Sequence, residues 1–378
     1  MHFLPVFDLN IKTFIFILLA ITALIQLLYT FFIHARLAFY RKTTSLNETN
    51  WASVSIIIAA RNESDNLYEN LPLILDQDYP EFEVIVVNHQ STDDSSYLLN
   101  AYARQFPNLK IIEVAKSNHL KPGKKLPITI GIKGAKYDYI VLTDADCKPN
   151  SRNWLKHISH NLMSGKELVI GYSPYVRKKG FLNKLIRFDT TWIGMNYLSM
   201  ALARNPYMSV GRNLAYTKNL FESVKGFKSH YAIPSGDDDL FVQDAAKNNN
   251  YAICLNSESF TISEPHETFS GWVRQKTRHF STSNHYKVFK RLLLGIYPLT
   301  LLIMYFSFII LLCDIEFRWL ALSLFLFTTI IKWWIQGRCL KKLEGNRFIP
   351  YLPFWDLFYA LILPILFYTT DKKETVKW

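Results

Sequence analysis

The sequence predicts an α/β domain with a mostly parallel, Rossmann-like sheet, carried between one N-terminal and about three C-terminal transmembrane helices. Three observations predict it. Long uncharged runs lie towards both ends of the chain, short β-branched runs alternate with helix-like stretches in the middle, and polar residues follow each of those short runs. The predicted organisation is an anchor and linker over 1–49, an α/β domain over 50–290 and membrane helices over 291–378.

The chain has 378 residues, 49% apolar, 15% aromatic and 20% charged, and the apolar residues are unevenly spread. Thr13–Ile33 and Leu292–Cys313 contain no charge, and each is long enough to cross a hydrocarbon core of ~30 Å as a helix. Trp319–Ile335 is interrupted by Lys332, and Phe348–Thr370 by Asp356 and three prolines. A buried core helix is the competing reading for each. The N-terminal run is too long for a cleaved signal peptide, and basic residues follow it. Arg36, Arg41 and Lys42 after the first span outnumber Lys12 before it, which predicts a cytoplasmic middle region. Arg274, Lys276, Arg278, Lys287, Lys290 and Arg291 before the second span agree, as do Arg338, Lys341, Lys342 and Arg347 after the third. The lysine-rich tail DKKETVKW conflicts mildly.

In the middle region VSIIIAA (54–60), EVIVVN (83–88), KIIEV (110–114) and YIVLT (139–143) read as strands buried on both faces. Helix-like stretches over about 65–77, 95–106 and 124–136 separate them, which is the alternation of a parallel sheet with crossover helices. In such sheets ligands bind beyond the carboxyl ends of the strands. The residues there are Arg61-Asn62-Glu63, His89 to Asp93, and Asp144-Ala145-Asp146. Residues 181–203 place Phe181, Leu185, Phe188, Trp192 and Met195 at helical spacing. They read as an amphipathic helix packed on the core or lying at a membrane surface.

The net charge of +12 lies largely beside the spans, where anionic headgroups are the natural partner. No nucleic-acid motif accompanies it, so a nucleic-acid partner is not expected. Cys147, Cys254, Cys313 and Cys339 form no paired spacing and read as free thiols.

Asp144 and Asp146 straddle Ala145 at a strand end, and two carboxylates so placed can hold a hard divalent cation that fills its shell with phosphate oxygens. A solvated turn produces the same pattern, so the context carries the weight. SIIIAARNES, VIVVNHQSTDDS, KPGKKLPITIGI, LTDADC, VGRNLAYTK, GDDDL and QKTRH occur in the order seen in membrane-bound family 2 glycosyltransferases, which the chain resembles over about 55–280. The resemblance implies a GT-A fold, a nucleotide-sugar donor (most simply a UDP-sugar), Mg2+ or Mn2+, an inverting displacement, and residence in the plasma or inner membrane. It implies that Asp146 is the main metal ligand, with Asp144 towards the metal or ribose. Ala59, Arg61, Glu63, His89 and one of Lys124 or Lys125 would surround the nucleotide. Gly211, Arg212 and Asn213 would line the acceptor side with His279, and Gln275 and Arg278 resemble a Gln-x-x-Arg-Trp signature whose arginine holds the leaving diphosphate.

Two positions depart from that pattern. His89 stands where the family usually has a base-contacting aspartate, which puts the donor's identity in doubt. His279 stands where processive synthases have tryptophan, which favours transfer of one sugar. Gly236-Asp237-Asp238-Asp239-Leu240 replaces the usual Glu-Asp-x-Asp-Leu. Alignment on Leu240 makes Asp237 the catalytic base, whereas alignment on the acidic pair makes it Asp238; Asp237 is favoured and Asp239 is expected at the helix start. The implied function is sugar transfer to a lipid or lipid-linked acceptor. The alternatives are a processive polysaccharide synthase and, in another class, an inactive sugar-nucleotide-binding scaffold; a transporter is opposed by the polar residues' concentration outside the spans.

Overall fold

A computed structural model describes residues 10–41, 50–116, 123–247 and 249–369. Lys42, the first residues of the KPGKK motif and the basic tail lie outside the described residues. In chain order the elements are α1 (Ile11–Ala38), β1 (Val54–Ala60), α2 (Ser64–Leu75), β2 (Phe82–His89), α3 (Ser95–Ala103), β3 (Leu109–Val114), α4 (Lys125–Gly134) and β4 (Tyr139–Asp144). There follow β5 (Cys147–Pro149), α5 (Trp154–Met163), β6 (Leu168–Ile170), α6 (Phe181–Leu202), β7 (Leu214–Thr217), α7 (Lys218–Ser223), α8 (Asp239–Ala245), β8 (Tyr251–Ile253), β9 (Thr261–Ser263) and α9 (Phe269–Ser283). The last three are α10 (Val288–Leu312), α11 (Arg318–Lys342) and α12 (Asn346–Thr369).

The chain divides into two compact units. The larger contains a seven-stranded sheet in the order β3-β2-β1-β4-β7-β6-β8. β1 pairs parallel with β2 and β4, and β2 with β3. β7 runs antiparallel to both β4 and β6, and β6 pairs parallel with β8, so β7 alone is reversed in a mostly parallel sheet. Every residue of β1 is buried, as the unbroken apolar run requires of a strand covered on both faces. Gly131 of α4 allows that helix close to the sheet, because a Cβ there would lie 2.5 Å from the Ile57 side chain.

The smaller unit holds α1, α10, α11 and α12, together with residues 191–205. The second half of α6 thus clusters with the long helices. Within α6, Leu185, Phe188, Trp192 and Met195 are buried while Phe181 is exposed, the pattern of a helix packed along one face. α1, α10, α11 and α12 are each long and apolar enough to cross a membrane. None of the four cysteines is in a disulfide.

Candidate active site

The parallel register sets Ala59 opposite Asp144 and Ala60 opposite Asn88, so β1, β2 and β4 end on one edge of the sheet. The turns beyond β1 and β2 are held in an unusual backbone form. Asn62 and Gln90 have φ of 55° and 61°, a left-handed conformation that non-glycine residues adopt at some energetic cost. Asn62 offsets that cost by joining the two turns: its amide donates to Ser91 Oγ (2.9 Å) and its Oδ1 accepts from the Thr92 amide (2.8 Å).

At the end of β4, Lys124 Nζ lies 2.8 Å from Asp144 Oδ2. Burial alone would raise the Asp144 carboxyl, but Lys124, then Arg212 and Arg278, outweigh it and hold the group below its ordinary value. Burial likewise opposes the Lys124 ammonium, and Asp144, Asp237 and Asp146 overcome this to hold it above its usual range. Lys124 is thus the lysine that faces the carboxylates. Lys125 is committed elsewhere: its ammonium donates to the His230 (2.5 Å) and Ile233 (2.9 Å) carbonyls. Burial brings it down to about 8 despite the neighbouring aspartates.

Asp144, Asp146 and Cys147 bring one ligand atom each within 4.8 Å of one another. The thiol is not a suitable third ligand. Cys147 is buried, donates to Asp146 Oδ1 (3.2 Å) and lies 2.9 Å from Ser263 Oγ; burial, then the charges of Asp146 and Asp144, push its pKa well up. Two carboxylates, with Asp146 exposed, fit a hard divalent ion that completes its shell with substrate oxygens. Glu63 faces the same acids: burial, then Asp146 and Asp144, raise its carboxyl, against the opposing Asn66 hydrogen bond and Lys124 charge.

Two expected site residues turn away. The His89 ring is 0% exposed and offers no face to a nucleotide base in this structure; burial, then the Arg61 charge, lower its pKa. Asn213, expected on the acceptor side, is also fully buried. Its Oδ1 accepts from Trp154 Nε1 (3.1 Å), and its Nδ2 donates to the Tyr172 and Ser259 carbonyls (2.8 Å each). A saturated amide of this kind supports the wall from behind. Its neighbour Arg212 stacks on Tyr175 at 4.5 Å and donates to the Ser173 carbonyl. Gln275 donates to the hydroxyl of that same Tyr175 (2.8 Å).

The acidic run resolves into three different environments. Gly236 has φ of 101°, and a Cβ there would meet Leu240 Cδ1 at 2.7 Å, which explains glycine where a glutamate is usual. Asp238 caps α8: Oδ1 accepts from the Asp239 amide (2.7 Å) and Oδ2 from the Gly211 amide (2.9 Å). Burial, then the charges of Asp237 and Asp239, push its carboxyl up to about 8 against those two amide bonds. Asp239, the expected helix-start residue, does open α8, but its Oδ2 also accepts from Thr282 Oγ1 (2.5 Å) and Tyr286 Oη (2.8 Å). Asp237 is 9% exposed, and its Oδ2 lies 3.3 Å from where a Gly211 Cβ would be. Among the described residues neither Asp237 nor the Arg278 guanidinium has a hydrogen-bond partner. His279 is exposed on α9.

Cys147, Tyr175, Thr282 and Tyr286 were not expected here from the sequence. Only Cys147, beside Asp146, carried a positional signal. The other three meet the site through chain separations of 43 to 100 residues, which no local pattern records.

The chain is 25% identical over 247 residues to a probable glycosyltransferase, YdaM, of Bacillus subtilis (strain 168), covering 63% of this chain and 56% of that protein. It is 27% identical over 187 residues to glycosyltransferase AglE of Haloferax volcanii, covering 49% of this chain and 58% of the relative. The chain thus spans somewhat over half the length of these curated relatives. A mannosyltransferase of Pyrobaculum calidifontis, solved with GDP-Man and Mn2+, superimposes with a TM-score of 0.55 at 17% identity, covering 89% of this chain and 99% of that one. That likeness shows a shared GT-A fold. The description of glycosyl transferase family 21 matches residues 16–378, and over that length the chain belongs to this family of GT-A glycosyltransferases.

Proposed function

We propose that the protein is a metal-dependent, inverting glycosyltransferase that moves a sugar from a nucleotide-diphosphate sugar, a UDP-sugar first, to a lipid or lipid-linked acceptor. Its catalytic unit faces the cytoplasm at the plasma or inner membrane, and its product enters cell-surface glycan or glycolipid synthesis. The observation that carries this reading is the ion pair of Lys124 with Asp144 at the end of β4, whose carboxyl the charges of Arg212 and Arg278 also hold down, in the same unit as Asp237, which has no hydrogen-bond partner among the described residues.

Asp146 and Asp144 would hold the cation, which when bound offsets negative charge on the leaving diphosphate. Arg278 and Lys124 supply further positive charge to that group. Asp237 accepts the proton of the acceptor hydroxyl as its oxygen bonds to the anomeric carbon, and the bond from that carbon to the diphosphate breaks on the opposite face. A carboxylate with no hydrogen-bond donor committed to it is free to take that proton. Asp238 is the less available acceptor, because both its oxygens already accept backbone amides, and its raised pKa keeps it the rival base. Four helices able to span a membrane favour an acceptor that resides there, and the basic residues beside them favour a cytoplasmic catalytic unit.

The test is a panel assay. Full-length protein in detergent, with Mn2+ or Mg2+, is incubated with a lipid extract and labelled UDP- and GDP-sugars. Label should enter the organic phase from one donor class. Label confined to water-soluble polymer would replace this reading with a processive synthase.

A further inference from the structure

We infer that Asp239, Thr282 and Tyr286 form a latch that positions the end of α9, and with it Arg278, against the segment carrying Asp237. The inference rests on the catalytic reading of those two residues. Asp239 is 6% exposed, and a carboxylate withdrawn from water is unfavourable unless its oxygens are bonded. Here both are: Oδ1 accepts from the Leu240 amide (2.7 Å), and Oδ2 accepts from Thr282 Oγ1 and Tyr286 Oη. The two hydroxyls come from residues 43 and 47 positions further along the chain. The bonds therefore tie the first turn of α8 to the last turn of α9 and the residues just beyond it.

The latch matters because of what lies beside it. Asp237 is two residues before Asp239, and Arg278 is one helical turn before Thr282. Neither side chain is held by a hydrogen bond among the described residues, so each takes its position from its backbone. Earlier on α9, Gln275 bonds Tyr175 and Lys276 forms a buried ion pair with Asp189 (2.5 Å). Beyond Arg278, Thr282 and Tyr286 tie the helix to the acidic segment through Asp239, and Tyr207 backs Tyr286 with ring centroids 5.9 Å apart. Asp239, Thr282 and Tyr286 are positioning residues, distinct from the groups that meet substrate.

The test uses the full chain in detergent with Mn2+ and the variants Thr282→Val, Tyr286→Phe and Thr282→Ser. Thr282→Val keeps the side chain's shape and removes the hydroxyl, which bonds Asp239 and also reaches the His279 carbonyl (2.9 Å). Amide exchange over residues 236–240 and 275–286 should speed up by ~10-fold in Thr282→Val and Tyr286→Phe, with exchange elsewhere unchanged and Tm within ~2 °C. With radiolabelled UDP-glucose and, in parallel, GDP-mannose, kcat should fall ~10- to 100-fold while donor KM stays within ~threefold. Thr282→Ser should restore both readouts. Unchanged exchange, or loosening spread over the whole unit with a lowered Tm, would overturn the latch. If neither donor is turned over by the unaltered protein, the donor assignment fails and the exchange measurement alone decides the latch.

Discussion

Two clusters of buried charge, one in each unit, make opposite use of their polar groups. In the helical unit Lys332 and Asp356 form an ion pair at 3.2 Å with side chains 5% and 6% exposed. Lys332 also donates to Gln26 Oε1 (2.5 Å), and Tyr297 Oη donates to Asp356 Oδ2 (2.8 Å). These four residues come one each from α1, α10, α11 and α12, so the cluster binds all four long helices together. In the catalytic unit the pair of Lys124 with Asp144 is more open, at 22% and 27% exposed, and Asp237 and Arg278 beside it have no hydrogen-bond partner among the described residues. The first cluster spends its polar capacity inside the protein. The second holds capacity in reserve, as a site must if a substrate is to occupy it. Loss of a group should therefore cost stability in the one and turnover in the other.

The strongest way to break this contrast is at the carboxylates. Asp146→Ala should reduce metal-dependent transfer by at least ~10³-fold while Tm shifts by no more than ~2 °C, and chelation of the metal should abolish transfer in the unaltered protein. Full activity in the variant would remove Asp146 from the site. Asp237→Asn should cost ~10²- to 10⁴-fold in kcat. Asp238→Asn should cost far less, since asparagine also caps helices; if it alone stops transfer, the base is Asp238.

On the other side of the comparison, Lys332→Met leaves Asp356 buried without its counter-charge and should destabilise the protein by ~3–5 kcal/mol. The pair Lys332→Met with Asp356→Leu should recover most of that loss, and thermal unfolding in detergent would show it. Equal damage from the single and double variants would mean that the ion pair stabilises in its own right. The smallest effect concerns the loop before the acids. Gly236→Ala meets both a φ of 101° and Leu240 and should cost ~1–2 kcal/mol, with turnover lowered only through displacement of Asp237.

Much of the fold was legible because its signals are local. The β1 run was read at its observed bounds, and the runs over 83–88, 110–114 and 139–143 fall inside β2, β3 and β4. Unbroken β-branched apolar runs have few other ways to be buried. By contrast β6, β7 and β8, of three or four residues each, went unread, since so short a segment carries no period. Among them, β7 is the one strand of the sheet that runs against its neighbours. The site divides in the same way. Asp144 and Asp146 could be placed because a strand end and a two-residue spacing put them there. The choice of Lys124 over Lys125, the withdrawal of His89 and Asn213, and the bonding of Asp239 could not.

The sequence by itself determined the four apolar spans, the alternating strands and helices between them, and the order of motifs that marks a glycosyltransferase. Composition and near-neighbour periodicity suffice for these, because burial of each segment depends on its own residues. Only the tertiary structure decided which of three adjacent aspartates caps a helix, which is bonded to a distant hydroxyl pair and which has no hydrogen-bond partner among the described residues. Adjacent carboxylates have identical chemistry, and they acquire different roles only from the donors that the fold brings to them across 27 to 47 residues of chain.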